Sequence, residues 1–394
     1  MEFRIPFSGR AHNYTDDEIS VVIDAMRNSV PLTQGKHLKA FENKFKSFSG
    51  ASHAFALNNG TSALEIAAQL CLFSDGDEVI IPGHTYTSTA YPFVKKGAKI
   101  VWSDIDLTTR VVSVETIAKC LTSKTKAIVV VHLYGYSADM PSIMKFARQH
   151  DLLVIEDAAQ ALGVFIDGRM VGTFGDFGVY SFHSHKNLST LGEGGMLTVL
   201  SDKQASLIPM LRHNGHCAFG FEREDYWIPA MGNVDIPILN GEKLWPSNYC
   251  IGEVECALGC KLLDRIIDMN AQKRQRALCF IEALSGFPQI EFHKVTNDRH
   301  GYHLLVGKFP NGHTRDKFIR KMALEGVQCV VQYYPLYRYD LYKKIGLQHA
   351  NCHNTDLFFD SMVSFPFHHM ITDNDFTWMI EVTKNVLGEI YESI

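Results

Sequence analysis

Between residues 50 and 200, short apolar runs alternate with helix-like stretches, and this rhythm constrains the fold more than any other feature of the chain. HAFAL precedes SALEIAAQLCLF, DEVIIP precedes STAYPFVKKG, KIVWSD leads on to AIVVVHL, and MPSIMKFARQH precedes LLVIED. Val/Ile runs without alternating polar partners mark strands buried on both faces, the condition of a mostly parallel sheet covered by helices. The expected class is α/β. Over residues 211–245 the rhythm dissolves into a long irregular stretch rich in Gly, Pro and aromatics. Such a stretch inside a compact domain usually covers a site or an interface. From Glu253 a helical segment leads into HLLVGKF, RDKFIRKMALEG and QCVVQYY, the pattern of a smaller α+β unit. The spacing predicts a large domain over residues 1–248 and a small C-terminal domain over 249–394.

Charge and cysteine content narrow the function. The 38 Lys and Arg against 43 Asp and Glu leave a formal net charge of -5, too acidic for a general nucleic-acid binder. A small-molecule substrate is expected instead. The opening MEFRIPFSGR lacks a secretory pattern, and no run approaches the roughly 18 apolar residues of a membrane span, so a cytoplasmic protein without membrane contact is expected. The 9 cysteines are scattered and form no CxxC pair, which argues for reduced core residues over a zinc ribbon or disulfide framework.

Three stretches carry residues suited to chemistry. LNNGTSALEIAAQ (57–69) runs from a strand through Gly and hydroxyl residues into a helix, where backbone N–H groups with Thr61 and Ser62 form an anion pocket or, equally, an ordinary capped helix start. LLVIEDAAQALG (152–163) is a buried-type strand ending in Glu156 and Asp157, at the end of a parallel strand where open α/β sheets bind ligands; the competing reading makes Asp157 a helix cap. VYSFHSHKNLSTLGEGGMLTV (179–199) places Lys186 between apolar strands and beside a Gly-rich turn. A lysine there becomes nucleophilic when desolvation lowers its pKa, although an isolated lysine is ordinarily a solvated surface charge. His183 and His185 flank Ser184 without a third ligand at sensible spacing, so no metal site is expected. Neither a GxSxG elbow nor a GxGxxG or GxxxxGK[ST] loop is present.

In combination these signals gain meaning. A phosphate pocket, a strand-end acid and a downstream lysine are the parts a pyridoxal phosphate enzyme needs: phosphate anchor, partner for the pyridinium nitrogen and Schiff-base lysine. The chain resembles the DegT/StrS-type sugar aminotransferases of the aspartate aminotransferase fold (fold type I) over nearly its whole length. RIPFSGR, PLTQGKHLKAFENKF, LNNGTSALEIAAQL, GDEVIIPGHTYTSTA, VHLYGYSADM, VIEDAAQALG, GDFGVYSFHSHKNLSTLGEGGMLT, SNYCIGEVECALG and YYPLYRYD carry the resemblance. It implies a pyridoxal 5'-phosphate-dependent transaminase with a large domain around a mostly parallel seven-stranded sheet. Lys186 matches the Schiff-base lysine, Asp157 the carboxylate on the pyridine nitrogen, Gln160 the residue beside the phenolic oxygen and Tyr86 the stacking aromatic. Thr61, Ser62 and Ser181 match phosphate-binding positions. Asn248 matches an asparagine that reaches the phosphate from the neighbouring subunit, which implies a homodimer with shared sites.

Two departures bear on the substrate. Many members carry Arg where this chain has Cys250, and His where it has Tyr337. Loss of that arginine points toward the branch acting on free or monophosphorylated ketosugars and ketocyclitols, as in aminocyclitol antibiotic synthesis. Arg212, His213 or the 211–247 stretch is then expected to supply the anion contact. The expected reaction moves an amino group from L-glutamate or L-glutamine to that ketone. The alternatives are an aminotransferase acting on a nucleotide-diphosphate-linked keto-deoxysugar and a non-catalytic pyridoxal-phosphate-binding regulator. A dehydratase with His in place of the lysine is disfavoured by Lys186 itself.

Overall fold

The structure is a computed structural model, and it describes residues 2–220, 231–293 and 299–391. Its centre is a seven-stranded sheet made of β1 (His53–Leu57), β2 (Glu78–Pro82), β3 (Lys99–Ser103), β4 (Thr125–Val131), β5 (Leu153–Asp157), β6 (Phe177–Ser181) and β7 (Gly195–Val199). The spatial order is β3-β2-β4-β5-β6-β7-β1. Five neighbouring strands, β3 through β6, pair parallel, whereas β7 runs antiparallel to both β6 and β1. The α/β expectation, with a mostly parallel sheet, is met. The continuous Val/Ile run of β4 is buried from Ala127 to Val131, as a strand covered on both faces requires.

Local capping sets the helices around this sheet. Thr15 and Glu18 form a reciprocal capping box at the start of α1 (Asp16–Asn28): the Glu18 N–H donates to Thr15 Oγ1 at 3.3 Å, and the Thr15 N–H donates to Glu18 Oε2 at 2.9 Å. Asn59 caps α3 (Gly60–Leu70) by accepting the Ser62 N–H on Oδ1 at 2.8 Å. The start of α2 (Lys36–Ser49) lacks a local side-chain cap and borrows one from a distant residue. Glu253 opens the later helix α5 (Glu253–Leu262), with α4 (Met140–Gln149) between α3 and it in the chain. Its buried carboxylate accepts the N–H groups of Gly35, His37 and Leu38 at 2.8, 2.7 and 3.1 Å.

The apolar interior forms two cores that do not respect the boundary expected after Asn248. Cys256, Leu258 and Leu262 of α5 belong to the first core with Phe41 and Phe45 of α2. So do Leu336, Tyr342 and Phe358 from further along the chain. Helix α6 (Ile266–Ala283) leaves the first core at Met269 and enters the second at Ala277. There it packs with α7 (Gly312–Leu324), α8 (Asp373–Tyr391) and a small antiparallel sheet of β8 (Glu291–Phe292), β9 (Leu305–Lys308) and β10 (Met362–Phe365). The break in structure is thus a bridging helix rather than a point in a loop.

Candidate active site

The last residues of β4, β5 and β6, which are Val131, Asp157 and Ser181, open on one cavity of about 380 Å³. This is the crevice at the carboxyl ends of the strands where open α/β sheets hold ligands. The start of α3 closes one end through Gly60 and Thr61, and Tyr333 from the C-terminal half of the chain closes another.

The two acids that end β5 have different fates because successive side chains of a strand point to opposite faces. Glu156 is fully buried away from the cavity and accepts the N–H groups of Gly172, Phe174 and Gly175 at 2.7, 2.6 and 2.7 Å, with His132 Nε2 at 3.1 Å. It holds together a turn of the scaffold. Asp157 lines the cavity, 6% exposed, and accepts the Thr89 hydroxyl on Oδ2 at 2.7 Å and the Ala159 N–H on Oδ1 at 3.2 Å.

Lys186 lies in the loop between β6 and β7 and faces the same cavity. Burial pushes its amine down to about 8, and the Asp157 charge opposes the shift. At that value roughly a tenth of the amine is unprotonated at pH 7, far more than of a solvated lysine, which is the state a nucleophilic amine requires. His183 and His185, weighed above for a metal, both line the cavity with ring centroids 5.2 Å apart. Burial and the neighbouring His183 and Lys186 lower the His185 pKa.

Gln160 is oriented from behind. Its Oε1 accepts the Tyr134 N–H at 2.6 Å, which leaves Nε2 to donate toward Tyr333 Oη at 3.1 Å. Tyr134 is in turn fixed by its hydroxyl, which donates to the Gln332 carbonyl at 2.7 Å and lies 2.7 Å from His84 Nε2. Burial drives the His84 pKa down to about 3, so its ring is neutral. The rings of Tyr134 and Tyr333 stack at 6.2 Å with 15° between planes. Tyr86, 55% exposed, meets Tyr333 edge-on. None of Thr89, Tyr134 or Tyr333 was singled out from sequence.

Of the expected cofactor contacts, Thr61, Tyr86, Asp157, Gln160, Ser181 and Lys186 are brought together on the cavity. Ser62 is not among its lining residues: its hydroxyl donates to Asn58 Oδ1 at 2.6 Å and lies 3.1 Å from Asn59 Oδ1. Its backbone N–H is likewise taken by the Asn59 cap. Asn248 lies away from its own chain's cavity, in a bridge with His213. The anion contact expected of Arg212 is not available either. Its guanidinium is buried, paired with Glu42 at 2.5 Å and bonded to the Ala56 carbonyl at 2.9 Å. Cys250 Sγ lies 3.5 Å from the Arg212 carbonyl, and Tyr337 is buried with its hydroxyl on Asp356 at 2.6 Å. Residues 221–230 of the 211–247 stretch lie outside the described residues.

The donor set fits pyridoxal phosphate. A Cβ at Gly60 would come 3.3 Å from both Ser181 Cβ and the Tyr180 carbonyl, so the bare backbone leaves a cradle at the helix start, where unpaired N–H groups and the helix dipole favour a phosphate. A buried amine and a strand-end carboxylate face the same space as this cradle.

A family model described as the DegT/DnrJ/EryC1/StrS aminotransferase family matches residues 13–384. The chain is 30% identical over 379 residues to GDP-perosamine synthase of Caulobacter vibrioides, covering 94% of this chain and 95% of that one. The fold is shared with the aminotransferase PseC of Helicobacter pylori, at a TM-score of 0.87, 23% identity, and coverage of 99% of this chain and 100% of that chain. An aminotransferase from Psychrobacter cryohalolentis superposes with a TM-score of 0.85 at 27% identity, covering 98% and 100% of the two chains.

Proposed function

The chain belongs to the DegT/DnrJ/EryC1/StrS aminotransferase family, a pyridoxal-phosphate-dependent family, and on that premise we propose that it moves an amino group from L-glutamate or L-glutamine onto the ketone of a nucleotide-diphosphate-linked sugar. The observation that carries the transaminase chemistry is Lys186 and Asp157 facing one cavity, with burial holding the amine near 8. Similarity to GDP-perosamine synthase over nearly the full length supports the nucleotide-linked acceptor. Cys250 in place of the family arginine favours a second reading, a free or monophosphorylated ketosugar or ketocyclitol, because no described cation of the 211–220 stretch replaces it on the cavity.

The bound cofactor supplies an electron sink for the carbanion formed when the donor loses its α-proton. Lys186 would hold the cofactor covalently through Nζ and, when free, would carry a proton there. Its depressed pKa lets it do both near neutral pH. Asp157, at the floor of the cavity and oriented by the Thr89 hydroxyl, would pair with the cofactor's protonated ring nitrogen. Gln160 offers Nε2 as a donor because its oxygen is occupied by Tyr134. Gly60, Thr61 and Ser181 would hold the phosphate, and Tyr86 would offer an aromatic face to the ring. A homodimer is part of this reading, and it is supported by Asn248 lying off its own cavity on a stretch where Trp245 is 72% exposed.

The test is the absorption spectrum of the purified protein with L-glutamate or L-glutamine and no acceptor. A yellow band that bleaches with donor, and returns on adding a nucleotide-linked ketosugar but not a ketocyclitol, supports the first reading. Recovery with the ketocyclitol alone replaces it with the second.

A further inference from the structure

Beside the cavity, a file of polar side chains, two buried amides and the partly buried Lys273, ties α6 to the segments that carry the site. Lys273 Nζ donates to Asn187 Oδ1 at 3.0 Å and to the His303 carbonyl at 3.2 Å. Asn187 Nδ2 donates to Asn270 Oδ1 at 2.8 Å and to the Gly301 carbonyl at 3.2 Å. Asn270 Nδ2 donates to the Leu162 carbonyl at 2.8 Å. Asn187 and Asn270 are each 8% exposed, and both their oxygens and nitrogens are used. Gly163, in the left-handed region at φ +73, leaves the room: a Cβ there would come 2.9 Å from Asn270 Nδ2.

Position gives this file its meaning. Asn187 follows Lys186 directly, His303 lines the cavity, and Leu162 lies two residues past Gln160. Asn270 and Lys273 are three apart on α6 and so share one face of it. Three cavity-forming segments therefore meet on the helix that bridges the two cores. Among the described residues no carboxylate pairs with Lys273, whose hydrogen-bond partners are an amide and a carbonyl and whose amine lies 5.3 Å from the Phe367 ring centroid; burial pushes that amine down to about 7. Both hydrogen bonds survive either protonation state, since a neutral amine still has two protons to donate. A network in which the oxygen and nitrogen of both amides are hydrogen-bonded rigidifies what it touches.

We propose that Lys273, acting through Asn187 and the His303 carbonyl, is a positioning residue that holds the Lys186 amine aimed into the cavity. The proposal rests on Lys186 being the Schiff-base lysine. Misplacing a reacting group by about 1 Å costs on the order of 100-fold in rate, so loss of the support is felt although Lys273 touches no substrate.

The experiment compares wild type with Lys273→Met, Lys273→Gln, Asn187→Ala and the double variant Lys273→Met/Asn187→Ala, all as the full chain. Lys273 also borders a separate cavity of about 680 Å³, so its truncation opens on existing space and the fold is expected to tolerate it. Three quantities are read on the folded fraction: the dissociation constant for pyridoxal phosphate, the pH midpoint of the bound cofactor's visible band, and kcat against KM for the donor. The expected result for Lys273→Met is a dissociation constant weakened about 10-fold, a shifted midpoint, and kcat lowered by roughly 10- to 100-fold with donor KM moved less than about 3-fold. Lys273→Gln, which keeps a donor, recovers most of the loss. The double variant is no worse than the poorer single one, as residues of one network require. Wild-type cofactor affinity, midpoint and kcat in folded Lys273→Met overturn the proposal, as do additive losses in the double variant or a loss that only tracks the folded fraction. A wild-type protein that takes up no pyridoxal phosphate overturns it together with the Lys186 assignment, whereas cofactor uptake with no effect of these variants removes the positioning role alone.

Discussion

The Thr89 hydroxyl donates to Asp157 Oδ2 at 2.7 Å, and both side chains are nearly closed to solvent, at 0% and 6% exposure. Asp157 otherwise holds only the Ala159 N–H among the hydrogen bonds described, so the threonine decides which way the carboxylate faces. A hydrogen bond to a charged group contributes about 1.5–3 kcal/mol. Thr89→Val keeps the shape and removes the donor. If half of that energy is felt in the transition state, kcat falls by roughly 3- to 12-fold, since about 1.4 kcal/mol is one decade. Steady-state kinetics on the folded variant check this, and an unchanged kcat would show that Asp157 needs no help to hold its place.

The pH dependence of cofactor capture follows from Lys186. Only the unprotonated amine attacks an aldehyde, and burial sets its pKa at about 8, down from 10.5. The rate at which the cofactor-free protein takes up pyridoxal phosphate is therefore expected to rise through about pH 8 and level off above it. Asp157→Asn removes the charge that favours the protonated amine, so the midpoint moves to lower pH. Between about pH 8 and 10.5 the unfolded chain holds a proton on this lysine that the folded one has released. The group's contribution to stability accordingly rises with pH across that window. A capture midpoint near 10.5 would mean that the amine is solvated.

What was legible in the sequence was local. Asp157 and Lys186 sit at or near strand ends, and strands buried on both faces announce themselves as Val/Ile runs, so two residues that line the cavity are legible together with the sheet. The same run hides direction: fully buried Gly195–Val199 reads alike whether parallel or antiparallel, and only the structure shows it reversed against its neighbours. Ser62 was grouped with Thr61 because both follow the strand, yet the Asn59 cap claims Ser62 and leaves Thr61 on the cavity. Arg212 looked like a free cation within an irregular stretch, while its partner Glu42 lies 170 residues earlier. Tyr134 and Tyr333 reach the site through contacts of similar range, which no local pattern encodes.

Gln160 tests the support that sequence could not show. Its Oε1 is fixed by the Tyr134 N–H, so Gln160→Glu puts an acceptor where Nε2 now donates to Tyr333. The carboxylate faces the Tyr333 hydroxyl, which can reverse its role and donate, but the cavity loses an amide donor and gains a negative charge. We expect the affinity for pyridoxal phosphate to fall about 10-fold and the visible band to shift. Gln160→Leu, which loses the donor without adding charge, should weaken binding less. Equal effects from the two variants would assign Gln160 a packing role only. Equilibrium titration by absorbance distinguishes these outcomes.

Glu253 predicts a change in stability that leaves the chemistry alone. Its carboxylate is 1% exposed and takes three N–H groups at the start of α2, where no local side chain caps the helix. The negative charge also faces the positive end of the helix dipole. Glu253→Ala leaves those donors without their acceptor, and a buried donor left unsatisfied costs about 1–3 kcal/mol. Water entering the space is expected to recover part of that, so the loss should be about 2–4 kcal/mol in urea unfolding, because helix caps alone contribute about 0.5–2 kcal/mol. Gln keeps one acceptor oxygen and brings an N–H₂ group toward the donors, so Glu253→Gln should lie between wild type and Glu253→Ala. Since α2 and α5 meet in the first core away from the cavity lining, kcat per folded molecule should stay within about 2-fold of wild type. A fall in kcat with unchanged unfolding would mean that this contact acts on the site and not on the scaffold.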